Sequence, residues 1–292
     1  MEISVVIPAK NEAAVLVGLL AKVRAVLPGA EIILVNDGST DNTSEVCASA
    51  GVIEVVHKYS KGNGAAIKSG ARRATGDVIV FMDGDGQHNP DDIPRLLASL
   101  EDGYDMAVGA RDNASQASFG RFAGNKIYNR LASFVVNHKI KDLTSGFRAV
   151  KRELFLEFLY LLPNGFSYPT TITMSFFRVG YAVDYVSISA AKREGSSHIN
   201  LLRDGVKFLL IIFKVGTLYS PLKIFFPASL VFFLTGASYY GYTFILTGRF
   251  TNMSALLFIC SILVFIMGLI SEQITMLMYK GSERLSDMDE KR

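Results

Sequence analysis

Over its first hundred or so residues the chain alternates two hydrophobic rhythms. Short, continuous, β-branched runs occur at Ile3–Ile7, Glu31–Asn36, Val52–His57, Val78–Met82 and Met106–Val108. Between them, Glu12–Leu27, Thr43–Ala50, Gly64–Thr75 and Asp91–Leu100 repeat their apolar positions at helical spacing. Asn42-Thr43 and Asn89-Pro90-Asp91 carry helix-start chemistry, with proline and acids in the first turn. Strands alternating with helices predict βαβ units and a mainly parallel sheet. Ile32–Val35 and Val78–Phe81 are apolar without alternation, as strands covered on both faces require. The expected class is α/β.

From about residue 115 the pattern is more mixed. Helices are expected near Phe119–Val136, Arg152–Leu161 and Thr170–Arg178, followed by a strand at Ala182–Ser187. Residues 192–223 then carry Lys192, Arg193, Arg203, Lys207, Lys214 and Lys223 against only Glu194 and Asp204. Val206–Leu218, apolar but punctuated by lysine, reads as a helix lying along a membrane surface or as a buried soluble helix.

Two longer runs change the picture. Ile224–Leu246 and Met253–Ser271 hold 23 and 19 residues without Asp, Glu, Lys or Arg. A helix crosses a bilayer's hydrocarbon core with roughly 20 apolar residues. The six residues Thr247–Asn252 joining them predict a transmembrane hairpin. Basic residues precede the first span, and Lys280, Arg284, Lys291 and Arg292 follow the second. Both ends are therefore expected on the cytoplasmic side, with Tyr239, Tyr240 and Tyr242 near the outer interface. Glu272, late in the second span, reads either as a functional intramembrane carboxylate or as one at headgroup level. The expected organisation is a domain over 1–200, an interfacial region over 201–222, two spans within 223–280 (about 224–246 and 253–279), and a cytoplasmic tail over 281–292.

Composition agrees with this division. Half of the 292 residues are hydrophobic and 20% are charged, below the average of about 25% for soluble domains. A net charge of +3 lacks the strongly basic face of a nucleic-acid binder. Cys47 and Cys260 are far apart and lack metal-ligand spacing. No signal sequence precedes the first strand, so the N-terminal part is expected to fold in the cytosol.

In an open parallel sheet, ligands bind beyond the carboxyl ends of the strands. Three polar clusters stand there: Pro8-Ala9-Lys10-Asn11-Glu12, Asn36-Asp37-Gly38-Ser39-Thr40-Asp41 and Asp83-Gly84-Asp85-Gly86-Gln87-His88. In the third, two carboxylates at i and i+2 on a glycine turn can face one hard cation, and Gln87 offers a carbonyl oxygen. A calcium-binding EF-hand loop starting at Asp83 would need Glu at its twelfth position, where Pro94 stands. Gly62-Asn63-Gly64-Ala65-Ala66-Ile67-Lys68-Ser69 nearly spells a phosphate-binding loop, but Ile67 occupies the position that needs glycine. Its glycines are expected to let the following helix pack near the ligand. Farther along, Gly109-Ala110-Arg111, Arg121 and Asn125 (four apart on one helical face), Asp142 through Arg148 and Lys192 through His198 supply cations for an anionic ligand.

In this order, these elements identify the chain as resembling family-2 glycosyltransferases of the GT-A fold, specifically the polyprenyl-phosphate glycosyltransferases. The resemblance runs through Ile7–Glu12, Asn36–Asp41, Asp83–Gln87, Gly109–Arg111, Asp142–Arg148 and Arg193–Ser197, covering residues 1 to about 200. Some members also carry a two-helix anchor. It implies a nucleotide-diphosphate sugar donor (UDP- or GDP-linked) and an undecaprenyl or dolichyl phosphate acceptor, and it leaves room for a homo-oligomer. By resemblance, Pro8, Lys10, Glu12 and Asp37 would hold base and ribose. Asp83, Asp85 and Gln87 would bind Mg²⁺ or Mn²⁺ on the donor diphosphate, with Lys192 or Arg193 nearby. Arg111, Arg121 and Asn125 would grip the lipid phosphate, and Asp85, Arg111 and Arg121 would carry catalysis. Asn125 stands where some members have Ser, and His198 where Lys is usual.

The acceptor's second phosphate pKa, about 6, makes a strong general base unnecessary, in keeping with four histidines and no evident base–nucleophile pair. Processive polysaccharide synthases resemble one another in a Gln-x-x-Arg-Trp motif, and this chain has no tryptophan. A lipid-hydroxyl acceptor would need a general base, such as Asp85 or Asp142. A non-catalytic membrane scaffold of the same fold would have no use for the Asp83/Asp85 pair.

Overall fold

The computed structural model of the protein describes residues 1–111, 119–165, 167–189, 210, 213–214, 216–217 and 220–289; of 119–127 and 278–289 it describes the backbone alone. The chain divides into two compact units, Met1–Ile211 and Ile212–Arg292. Lys192, Arg193, His198 and most of the expected interfacial helix lie outside the described residues.

The first unit is built on a seven-stranded sheet of order β3-β2-β1-β4-β6-β5-β7. Its strands are β1 (Ile3–Ala9), β2 (Glu31–Asn36), β3 (Ile53–Val56), β4 (Val78–Phe81), β5 (Met106–Arg111), β6 (Arg148–Lys151) and β7 (Val183–Ile188). Every pairing is parallel except those of β6, which runs antiparallel between β4 and β5. Six of the seven strands fall where the hydrophobic pattern predicts them. The pattern does not predict β6, which has four residues and begins inside the polar Asp142–Arg148 motif. Arg148 pairs with Phe81 at the carboxyl end of β4. The reversed strand therefore brings residues 142–147 to the edge where the acidic cluster stands.

The helices are α1 (Ala13–Val26), α2 (Thr43–Ala50), α3 (Asn63–Arg73), α4 (Ile93–Glu101), α5 (Phe119–Val136), α6 (Arg152–Glu157) and α7 (Tyr168–Val179). A core on one sheet face joins Val5, Ile7 and Leu34 to Leu16, Leu20 and Leu96. The core on the other joins Val6, Ile33 and Val35 to Ile67, Phe155 and Phe176. Successive strand side chains thus enter opposite cores, and burial on both faces is why these strands read as unbroken apolar runs.

The second unit contains α8 (Pro221–Thr247) and α9 (Asn252–Asp289), joined by a short turn. Ser229, Gly236 and Thr243 on α8 are buried, as are Ser254, Ser261, Gly268 and Thr275 on α9. Their seven-residue spacing keeps small side chains on the helix–helix seam and lets the backbones approach, as membrane helix pairs do. Ser261 donates across the seam to the Ser229 carbonyl (2.9 Å). Large apolar residues such as Phe232, Leu234, Ile262 and Ile270 face outward. Glu272 accepts a hydrogen bond from the Leu222 N–H at 3.4 Å. It caps the first turn of α8, where Pro221 opens the helix and the N–H groups have no intrahelical partner. The helix of the second span continues to Asp289, through most of the segment expected to be a tail.

Candidate active site

The β1–α1 and β2–α2 connections interlock. Asn11, in the left-handed region at φ 56°, donates its N–H to Ser39 Oγ (3.0 Å) and accepts at Oδ1 from the Thr40 N–H (2.8 Å). Asp41 accepts the Ala13 N–H at the start of α1 (3.0 Å). These short polar contacts set the positions of Pro8, exposed Lys10 and partly buried Glu12 along the sheet edge.

Asp37 is bracketed by donors from the segment that follows β3. One carboxylate oxygen accepts from His57 Nδ1 (2.6 Å) and the Lys61 N–H (2.8 Å), the other from Ser60 Oγ (2.8 Å) and the Gly62 N–H (2.9 Å). His57 in turn meets Ser69 Oγ through Nε2 at 2.9 Å. Burial raises the Asp37 pKa, but these donors outweigh it and pull the carboxyl down to about 2. A carboxylate has about four acceptor positions, and all are filled by the protein. Asp37 is thereby held in one orientation at the sheet edge. It secures the segment 57–62.

That segment leads into α3, whose glycines face protein. A Cβ on Gly64 would lie 2.0 Å from the Pro163 carbonyl oxygen. Gly64 N–H donates to Gly165 O (3.3 Å) and Ala65 N–H to Asn164 O (2.8 Å), while Lys68 Nζ donates to Leu162 O (3.0 Å). The N-terminus of α3 is thus covered by the chain's own carbonyls. The glycines admit residues 163–165, not a ligand.

Asp83 and Asp85 follow β4 directly. No hydrogen-bond donor among the described residues reaches the Asp83 carboxylate. Burial pushes its pKa up and the Asp85 charge adds to this, while His88, Arg111 and Arg148 pull the other way. Two like charges, one of them without a protein donor among the described residues, are what a divalent cation would relieve. His88, stacked on Phe147 at 5.0 Å, keeps a buried Nδ1 without a partner among the described residues. Among the described residues no group of three His, Cys, Asp or Glu gathers as a metal cage. Two carboxylates and Gln87 instead fit a hard cation that takes its remaining ligands from water and phosphate.

Arg111, at the end of β5, forms a bidentate pair with Asp142 (Nε–Oδ2 2.9 Å, Nη2–Oδ1 3.1 Å) and donates from Nη2 to Thr144 Oγ1 (2.5 Å). Burial opposes ionisation of both partners, and the pairing reverses this, lowering Asp142 and raising Arg111. Only Nη1 of Arg111 has no partner among the described residues. Arg121 and Asn125 lie on α5, where only the backbone is described; Lys192 and Arg193 are outside the described residues.

Sequence reasoning missed His57 and Ser60 as partners of Asp37. It also missed the buried Tyr168, whose hydroxyl donates to Gly146 O at 2.9 Å. No local motif marks these residues. The contacts join segments 20 to 23 residues apart.

The family profile described as glycosyl transferase family 2 matches residues 4–159, and the GtrB C-terminal hairpin profile matches residues 220–277. The chain belongs to glycosyl transferase family 2. This glycosyltransferase is 27% identical to glycosyltransferase AglJ of Haloferax volcanii over 275 residues, 89% of each chain. It is 30% identical to polyprenol monophosphomannose synthase of Mycolicibacterium smegmatis over 205 residues, 65% of this chain and 77% of that one. In fold it matches glucosyl-3-phosphoglycerate synthase of Mycobacterium tuberculosis, crystallised with Mn²⁺, UDP and product. The TM-score is 0.59 and the identity 24%, over 72% of this chain and 79% of that one. The catalytic unit therefore has the GT-A fold expected from the motifs, and the C-terminal unit is a hairpin of two apolar helices.

Proposed function

We propose that this glycosyltransferase transfers a hexose from a UDP- or GDP-linked sugar to a polyprenyl phosphate in one inverting displacement at the cytoplasmic membrane face. The observation that carries the reading is Asp83, without a donor among the described residues, beside Asp85 and on the same sheet edge as the Asp142-held Arg111. The names of the mycobacterial mannose synthase and of an undecaprenyl-phosphate 4-deoxy-4-formamido-L-arabinose transferase, 33% identical over 52% of this chain, support the acceptor class.

Asp83, Asp85 and Gln87 would hold Mg²⁺ or Mn²⁺, which when bound supplies Lewis-acid stabilisation of the departing diphosphate. Pro8, Lys10, Glu12 and Asp37 bind the nucleoside, and Lys192 or Arg193 adds charge near the diphosphate. Nη1 of Arg111, without a partner among the described residues, binds the acceptor phosphate together with Arg121 and Asn125 on α5. The bidentate lock on Asp142 holds the Arg111 guanidinium in one orientation, so little ordering remains when the anion arrives. The acceptor is already an anion at neutral pH, so no side chain must remove a proton. The hairpin keeps the catalytic unit beside the lipid that carries the acceptor.

The test is nucleoside diphosphate release by the purified protein with Mn²⁺, across a panel of nucleotide sugars, with and without polyprenyl phosphate. Release with one donor that depends on the lipid phosphate is expected. Release indifferent to the lipid phosphate would overturn the acceptor assignment.

A further inference from the structure

We propose that Arg148 and Tyr168 are positioning residues for Asp83, together holding the Ser145–Gly146 backbone as the wall against which its carboxylate is set. The inference rests on Asp83 being a cation ligand, as above.

The wall is in direct contact with the carboxylate. A Cβ added to Gly146 would lie 2.7 Å and 3.1 Å from the two Asp83 carboxylate oxygens. Only a residue without a side chain lets the backbone come this close. With no donor among the described residues on its oxygens, Asp83 takes its orientation from what it packs against. The wall belongs to a stretch, residues 142–147, without helix or strand. Its ends are tied elsewhere: the Phe147 carbonyl accepts from the Gly109 N–H (2.9 Å), and the Leu143 N–H donates to Asn129 Oδ1 (3.1 Å).

Two buried side chains hold the Ser145 and Gly146 carbonyls between those ends. The Tyr168 hydroxyl donates to Gly146 O (2.9 Å), and Tyr168 is 1% exposed. Arg148, wholly buried, donates from Nη2 to the Ser145 carbonyl. Its Nη1 reaches the other way, to Thr173 Oγ1 (3.2 Å) and Pro169 O (3.5 Å). The guanidinium lies 5.5 Å over the Tyr168 ring. Tyr168, Pro169 and Thr173 occupy the first half of α7, so this helix is keyed to the wall through one arginine and one hydroxyl.

Burying a guanidinium among neutral acceptors is costly unless its position is used. Arg148 has no carboxylate at ion-pair distance among the described residues, and its Nε lacks a partner. An aliphatic side chain would pack here without that cost. It would neither bridge Ser145 to Thr173 nor place a fixed positive charge within reach of both Asp83 and Asp142. Groups behind metal ligands orient those ligands, and removing them typically lowers metal affinity by about 10- to 100-fold.

The experiment is Mn²⁺ titration of the full-length protein in detergent, following free Mn²⁺ by electron paramagnetic resonance, alongside thermal unfolding. Tyr168→Phe and Arg148→Met are each expected to weaken Mn²⁺ binding about tenfold, and Arg148→Lys to restore part of the loss. Gly146→Ala, whose Cβ enters the carboxylate, should weaken it at least as much. Thr173→Val removes one of the two far anchors of Arg148 without touching the wall, and a two- to threefold loss, about 0.5 kcal/mol, is expected. Wild-type Mn²⁺ affinity in Tyr168→Phe and Thr173→Val, with only the melting temperature lowered, would overturn the proposal while leaving Asp83 as ligand. Asp83→Asn separates the two readings. If it binds Mn²⁺ as the wild type does, the ligand assignment fails, and the positioning role with it.

Discussion

Asp37 and Asp83 stand just beyond the carboxyl ends of β2 and β4, each after an apolar run and each followed by glycine. With β1 between their strands, they face the same region. Their surroundings are opposite. Asp37 receives hydrogen bonds from His57, Ser60, Lys61 and Gly62, and its carboxyl is pulled down to about 2. Asp83 receives none among the described residues and lies against the Gly146 backbone; burial, with the charge of Asp85, raises its pKa. A carboxylate whose acceptor positions are filled by the protein stabilises the fold. One left bare beside a second carboxylate can stabilise a bound cation instead.

The comparison breaks most readily at the acidic pair. Asp85→Asn is expected to reduce sugar transfer at least about 1,000-fold, with membrane insertion and melting temperature unchanged. Near-wild-type turnover of the purified variant would remove the distinction between the two clusters. Asp37→Asn should show the reverse profile. Losing a carboxyl held at about 2 instead of the ordinary 3.8 costs about 2 kcal/mol of stability. The melting temperature of the full-length protein in detergent should then fall by about 5 °C, with Mn²⁺ affinity unchanged.

The pH dependence sharpens the contrast. Because folding lowers the Asp37 pKa, its contribution is fully present above pH 3.8 and is lost as pH falls toward and through about 2. Wild-type protein should therefore lose about 2 kcal/mol more than Asp37→Asn between pH 5 and pH 2, read from unfolding midpoints across that range. Parallel curves would mean that the bracket around Asp37 stores no such stability. The smallest effect is expected from Ser60→Ala, which removes one of four donors and should cost about 1 kcal/mol, with transfer rates within twofold of wild type.

Much of the fold was legible because its signals are local. The pattern at Ile32–Val35 and Val78–Phe81 announced buried parallel strands, and the uncharged runs from Ile224 and Met253 announced the two apolar helices. Strand β6 was not legible, because four residues flanked by a polar motif carry no periodicity and its pairing with β4 lies some 70 residues away in the chain. Lys192, Arg193 and the side chains of Arg121 and Asn125 fall outside the described residues.

By itself, then, the sequence determined the alternation of elements, the hydrophobic hairpin and the placing of three polar clusters at strand ends, since backbone periodicity and local turn chemistry decide those. Only the tertiary structure decided which carboxylate was already satisfied. It also decided that Gly64 admits the chain's own carbonyls, that Glu272 caps the neighbouring helix, and that Arg148 and Tyr168 stand behind Asp83. Each of these depends on which donor meets which acceptor across distant segments, and a chain's hydrogen-bond partners are assigned only when its strands are paired.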